Sequence, residues 1–142
     1  GPMLKYTLTH PEILAALGTA GHGSQILIAD GNYPFTTGSS PTAKRVYLNL
    51  TRGFAPVDEV LRVLADAVPI EAAHVMMPDE GPEPEIFASF RRILPAGVEL
   101  QSYGRFPFYD AAREPNVALV IATGEQRVYA NLLLTIGVVP QE

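Results

Sequence analysis

The stretch Ala20-Gly21-His22-Gly23-Ser24-Gln25-Ile26-Leu27-Ile28-Ala29-Asp30-Gly31-Asn32-Tyr33-Pro34 decides how the chain is read. Ile26 to Ala29 is too short and too apolar for a surface helix, so it reads as a buried strand. Glycine on both sides of His22 lets the backbone turn sharply and leaves the imidazole unshielded by neighbouring side chains. Asp30 stands at the carboxyl end of the strand, the edge at which ligands gather in open α/β sheets. An imidazole and a carboxylate that bracket one strand either converge on a ligand or point apart. The sequence leaves both arrangements open.

Upstream, Thr9-His10-Pro11-Glu12 reads as a helix start, with Thr9 and Glu12 at capping-box spacing and Pro11 in the first turn. Ile13, Leu14 and Leu17 form its buried stripe, Gly21 is the expected closing residue, and His10 reads as a solvated cap-region residue. Downstream, Phe35 to Thr42 is a polar loop long enough to act as a flap over a site. Arg45 to Leu50 alternates as a strand, and Pro56 opens a helix whose Val57, Val60, Leu61 and Leu64 share one face. That helix ends by Val68-Pro69.

Ala73 to Met77 reads as a short buried strand containing His74, followed by an acidic, proline-rich loop from Asp79 to Glu85. A helix then buries Ile86, Phe87, Phe90 and Ile93-Leu94, and a strand runs from Val98 to Ser102. The aromatic segment Arg105-Phe106-Pro107-Phe108-Tyr109 leads into a short helix ending at Arg113. Val117 to Thr123 and Tyr129 to Ile136 are the last two strands, joined by a turn at Gly124-Glu125. Strands alternating with helices, closed by that pair, predict an α/β fold: one three-layer α/β/α domain over residues 3–142 with a mostly parallel, mixed central sheet. Gly1-Pro2 before Met3 reads as the scar of a cleaved expression tag.

A composition 47% hydrophobic and 18% charged suits a compact folded protein. With a net charge of −5 and no basic cluster beyond pairs such as Lys44-Arg45 and Arg91-Arg92, the chain is not expected to bind nucleic acid. There is no apolar run of transmembrane length and no signal-peptide pattern, so a cytoplasmic protein is expected. Absence of cysteine excludes disulfides and thiolate metal sites. His10, His22 and His74 fall on different elements at no metal-ligand spacing, so no metal is expected. Neither a phosphate-cradling loop nor a nucleophile elbow is present.

His22 gains interest from its glycines and from Asp30, because a carboxylate can orient an imidazole for proton transfer. His74, mid-strand beside Met76 and Met77, reads as a satisfied core or interface histidine. Tyr129 and Asn131, two apart on the expected strand, would project from one face, either as a half-exposed sheet surface or as hydrogen-bonding equipment for a hydroxyl-rich ligand. Arg105 is either stacked among its aromatic neighbours or offers its donor fork to a ligand. Glu125 either touches ligand or caps the turn.

Together, Gly21-His22-Gly23, Ile26 to Pro34, Arg105 to Tyr109, Thr123 to Asn131 and Gly137-Val138-Val139 resemble the D-ribose pyranase / L-fucose mutarotase family, in order and at similar spacing from the Pro11-Glu12 helix start onward. The Arg-Phe-x-Phe-Tyr segment is more similar to the fucose mutarotase branch. Three departures are visible: Ser24 where many members carry an acidic residue, no Arg-x-Asp-Gly in Asn49 to Gly53, and Pro107 within the aromatic segment. The resemblance implies catalysis by His22, with Asp30 and Tyr129 assisting, and sugar binding by Asp30, Arg105, Tyr129 and Asn131. It also implies no metal, no cofactor, and a ring-shaped homo-oligomer, typically a decamer, with sites at subunit boundaries. The expected activity is anomer exchange of a monosaccharide such as L-fucose. The alternatives are a ribose pyranase and a non-catalytic sugar-binding or transport-accessory protein.

Overall fold

Ile26, Leu27, Ile28 and Ala29 are essentially inaccessible to solvent. The reason is that they lie in the middle of a sheet covered on both sides. In the computed structural model, which describes residues 3–141, the strands are β1 (Gln25–Ala29), β2 (Lys44–Tyr47), β3 (Ile70–Met76), β4 (Leu100–Tyr103), β5 (Val117–Ala122) and β6 (Leu132–Ile136). The helices are α1 (Pro11–Thr19), α2 (Val57–Ala67), α3 (Ile86–Ile93) and α4 (Arg105–Ala112). Gly1 and Pro2, read above as a tag scar, lie outside the described residues.

The strands form one six-stranded sheet in the order β2-β5-β1-β6-β3-β4. β1, β2 and β5 run parallel, as do β3 and β4, while β6 is antiparallel to both its neighbours. Side-chain alternation divides the core. Ile26 and Ile28 join the layer of α1, α2 and α3 with Val57, Leu61, Phe87 and Phe90, whereas Leu27 and Ala29 face Tyr33, Phe108 and Ala112 on the α4 side. The expected mixed α/β/α arrangement is therefore present. Its mixed character has a different origin from the one anticipated, because β5 and β6 are not a hairpin: β1 lies between them.

Four local expectations are corrected. First, α1 is capped by His10, whose Nδ1 accepts from the Ile13 N–H at 3.3 Å, and not by Thr9. Pro11 occupies the first helical position, so the residue before it becomes the cap. Second, Ala20 leaves that helix extended, and the left-handed glycine is Gly23 (φ 87°), not Gly21. Third, β2 stops at Tyr47 because its partner β5 stops at Ala122; beyond it Leu50 is 83% exposed. Fourth, β6 begins at Leu132, which takes Tyr129 and Asn131 off the strand.

Pro107 falls in the first turn of α4, where an N–H has no intrahelical partner, so it does not break the helix. The Phe35–Thr42 loop is not a free flap. Arg45 donates to the carbonyls of Phe35, Thr36 and Ser40 and to Ser39 Oγ, and Ser39 and Ser40 are buried.

Candidate active site

Because five strands run one way, their carboxyl ends share an edge, and β6, running the other way, starts there. Asp30 after β1, Met76 at the end of β3, Arg105 after β4, and Tyr129 and Asn131 before β6 therefore meet around a cavity of about 220 Å³. Asn32, Tyr33, Tyr109 and Val128 complete its lining.

Asp30 is clasped to the Ala130-Asn131 segment by two hydrogen bonds. The Asp30 N–H donates to Asn131 Oδ1 at 2.8 Å, and the Ala130 N–H donates to Asp30 Oδ2 at 3.3 Å. These bonds continue the β1/β6 ladder by side chains just past its last backbone pair, Ile28 with Leu132. Asp30 Oδ1 also accepts from the Asn32 N–H at 3.0 Å. Burial pushes the Asp30 carboxyl above its ordinary value, only partly countered by the backbone N–H groups of Asn32, Ala130 and Tyr33. With Oδ1 of Asn131 committed to Asp30, its Nδ2 is the group that can donate to a ligand.

Tyr129 stands in the turn before β6 with φ 57°, the one non-glycine residue in the left-handed region among the described residues. The expected projection of Tyr129 and Asn131 from one strand face is therefore wrong, yet both line the cavity. Arg105 is stacked, its guanidinium lying 5.7 Å from the Phe106 ring centroid, and it also lines the cavity. Tyr33 is buried, donates its hydroxyl to Gly38 O at 2.5 Å and packs edge-on to Phe108, so it is a fixed part of the lining. Tyr33, Tyr109 and Met76 were not singled out as site residues. Tyr33 and Tyr109 sit inside the quoted motifs, but nothing in the sequence says that the two packed rings share a wall, with centroids 5.4 Å apart.

His22 does not join this group within one chain. It precedes β1 while Asp30 follows it, so the strand separates them by about 13 Å or more. Of the two arrangements the sequence left open, the groups of one chain point apart: the imidazole is exposed and its Nε2 bonds Glu71 Oε1 at 2.7 Å, so its orienting carboxylate within the chain is Glu71 and not Asp30.

His74 is half-buried, with its ring stacked on Tyr103 at 4.6 Å and its Nδ1 without a hydrogen-bond partner among the described residues, not satisfied as expected. Burial holds its pKa below the ordinary value despite Gln101.

Glu125 makes bonds that hold the fold. Its Oε1 accepts from the Val57 N–H at 3.2 Å at the start of α2, and both its oxygens bond Arg127, which also reaches Asp58 at 3.0 Å. Burial pushes the Glu125 carboxyl up, but Arg127 and the N–H groups of Arg127 and Val57 bring it below its usual value. Gly124 is required here, since a Cβ would lie 2.2 Å from the carbonyl oxygens of Thr51 and Phe54. Among the described residues, no helix is long and apolar enough to cross a membrane, and no three His, Asp or Glu side chains are grouped to hold a metal ion.

The fold and the cavity define a class: α/β proteins with a small polar pocket beyond the carboxyl ends of a mixed sheet. The chain belongs to the RbsD / FucU transport protein family, whose model matches residues 3–139. It is 31% identical to the D-ribose pyranase of Chloroflexus aggregans over 96% of this chain and 99% of that one. It is 32% identical to the fucose mutarotase of Bos taurus over 92% and 90% of the two chains. The fucose mutarotase of Streptococcus pneumoniae, solved with L-fucose, superposes with a TM-score of 0.78 at 26% identity, covering 92% of this chain and 94% of that one. The Bacillus subtilis RbsD solved with D-ribose shares the fold, with a TM-score of 0.80 at 24% identity over 97% of this chain and all of that one. Near-equal identities to a pyranase and a mutarotase leave the two sugars undivided.

Proposed function

We propose that this protein is a cofactor-independent monosaccharide mutarotase, with L-fucose as its first candidate substrate. The observation that carries the reading is the cavity where Asp30, Arg105, Tyr129 and Asn131 meet, in a chain whose relatives are named mutarotases and pyranases. At about 220 Å³ it is below the roughly 300–1,000 Å³ usual for drug-sized ligands, a size suited to one sugar ring. Arg105 and Asn131 Nδ2 donate to sugar hydroxyls, Asp30 accepts from one, and Tyr129 can do either.

Mutarotation needs one group to take the anomeric hydroxyl proton and another to protonate the ring oxygen. In this reading His22 takes the first proton, the bond from the anomeric carbon to the ring oxygen breaks as the carbonyl forms, and the Tyr129 phenol protonates that oxygen. Rotation of the aldehyde and reversal of the steps give the other anomer. Such acid–base help is typically worth about 10²–10⁴-fold, enough for a reaction that already proceeds slowly in water. Since His22 lies at the far edge of its own sheet, in this reading it reaches the cavity from an adjacent protomer of a ring assembly.

Saturation-transfer NMR on the anomeric protons of L-fucose and D-ribose tests this. Transfer between α and β signals faster than in buffer, abolished by His22→Ala, is the expected result. Faster exchange for ribose alone assigns the pyranase branch, which the 31% identity to a pyranase keeps as the second reading. No acceleration with either sugar overturns catalysis and leaves a sugar-binding protein.

A further inference from the structure

We infer that Glu71 is a positioning residue for His22, holding the imidazole with its proton on Nε2 so that Nδ1 is the nitrogen presented to the sugar. The inference rests on the mutarotase reading for its consequence, but the geometry stands apart from it.

The loop carrying His22 is braced at the backbone. The Gly23 N–H donates to Ile136 O at 2.9 Å, the Ile136 N–H returns to Ser24 O at 2.9 Å, and the Gly21 N–H is held by Ser24 Oγ at 3.2 Å. What remains to be set is the imidazole ring. Glu71, on β3 and 49 residues away in sequence, meets Nε2 at 2.7 Å. A carboxylate only accepts hydrogen bonds, so the neutral ring that makes this contact carries its proton on Nε2 and its lone pair on Nδ1. Nδ1 bonds no protein group among the described residues, which leaves it free to take the anomeric hydroxyl proton. Glu71 then faces the imidazolium that results.

The two side chains are 61% and 46% exposed, and a pair so open to water contributes little to stability. A role confined to structure therefore predicts almost no effect of Glu71→Ala, whereas a positioning role predicts a defect in turnover. Two measurements decide. Two-bond proton–nitrogen NMR of the His22 ring should show protonation on Nε2 alone in the parent and a mixture of tautomers in Glu71→Ala. Anomer exchange by Glu71→Ala should show kcat about tenfold lower with KM within about twofold and the thermal midpoint unmoved. Glu71→Gln, which keeps an acceptor without the charge, should fall between. Protonation on Nδ1 in the parent, or parental kcat in Glu71→Ala, overturns the inference. An inactive parent defeats the mutarotase reading instead, and the ring NMR still judges the tautomer.

Discussion

At Tyr129 the backbone adopts φ 57°, a conformation that brings Cβ against the following carbonyl and costs about 1–2 kcal/mol for a residue other than glycine. The strain persists because Ala130 and Asn131, immediately after it, are clasped to Asp30. The turn aims the phenol into the cavity, which a regular strand could not do from the edge of the ladder. Tyr129→Gly should therefore be more stable than Tyr129→Ala by about 1 kcal/mol in urea unfolding, since glycine alone adopts this φ freely. Equal stability of the two would mean the turn is relaxed in solution. Strand periodicity had placed Tyr129 and Asn131 correctly near one another and for the wrong reason. Alternation cannot register that side chains take over from a backbone ladder.

Helix α2 shows the same dependence on distant groups. Its apolar face, Val57, Val60, Leu61 and Leu64, was legible from spacing, because burial of one stripe follows directly from a period of 3.6. Its start at Pro56 was legible too, but its capping was not: Pro56 has no side-chain acceptor, and Glu125 supplies one to the Val57 N–H from 68 residues away. Arg127 and Asp58 close the cluster, and Arg127 with Ser89 draws the Asp58 carboxyl below its ordinary value although burial opposes this. Carboxyls with lowered folded pKa add stability that is complete above their ordinary values of 4.5 and 3.8 and is lost as pH falls through the lower folded values. Glu125→Gln should accordingly cost about 2 kcal/mol at pH 7, by leaving Arg127 half-buried without its main counter-charge. The deficit relative to the parent should shrink as acid protonates Glu125. A deficit independent of pH would show that shape, not charge, matters at this position.

For the whole molecule, the topology separates the two halves of the proposed chemistry. His22 precedes β1 and Asp30 follows it, so a single chain keeps the imidazole at one edge of the sheet and the cavity-lining groups at the other. The proposed sharing of sites between protomers predicts complementation. His22→Ala and Asp30→Ala chains, each inactive alone, should regain about a quarter of parental exchange when co-refolded in equal amounts, since a quarter of the boundaries then pair an intact His22 with an intact Asp30. Continued inactivity in a mixture that assembles normally would sink the shared site.

The sequence by itself determined the elements that depend on local pattern. These are the buried strand from Ile26 to Ala29, the amphipathic α2 and α3, the stop before Pro69, the α/β class, and the presence of Asp30 at a strand's carboxyl end. Each follows from periodicity, chain stiffness or turn chemistry within a few residues. Only the tertiary structure decided that β6 inserts between β1 and β3, that Asp30 is clasped to Asn131, that Glu125 serves α2, and that His22 meets Glu71 instead of Asp30. Those contacts join residues tens of positions apart, and which distant side chains meet is set by strand order and direction, quantities to which no local pattern is sensitive.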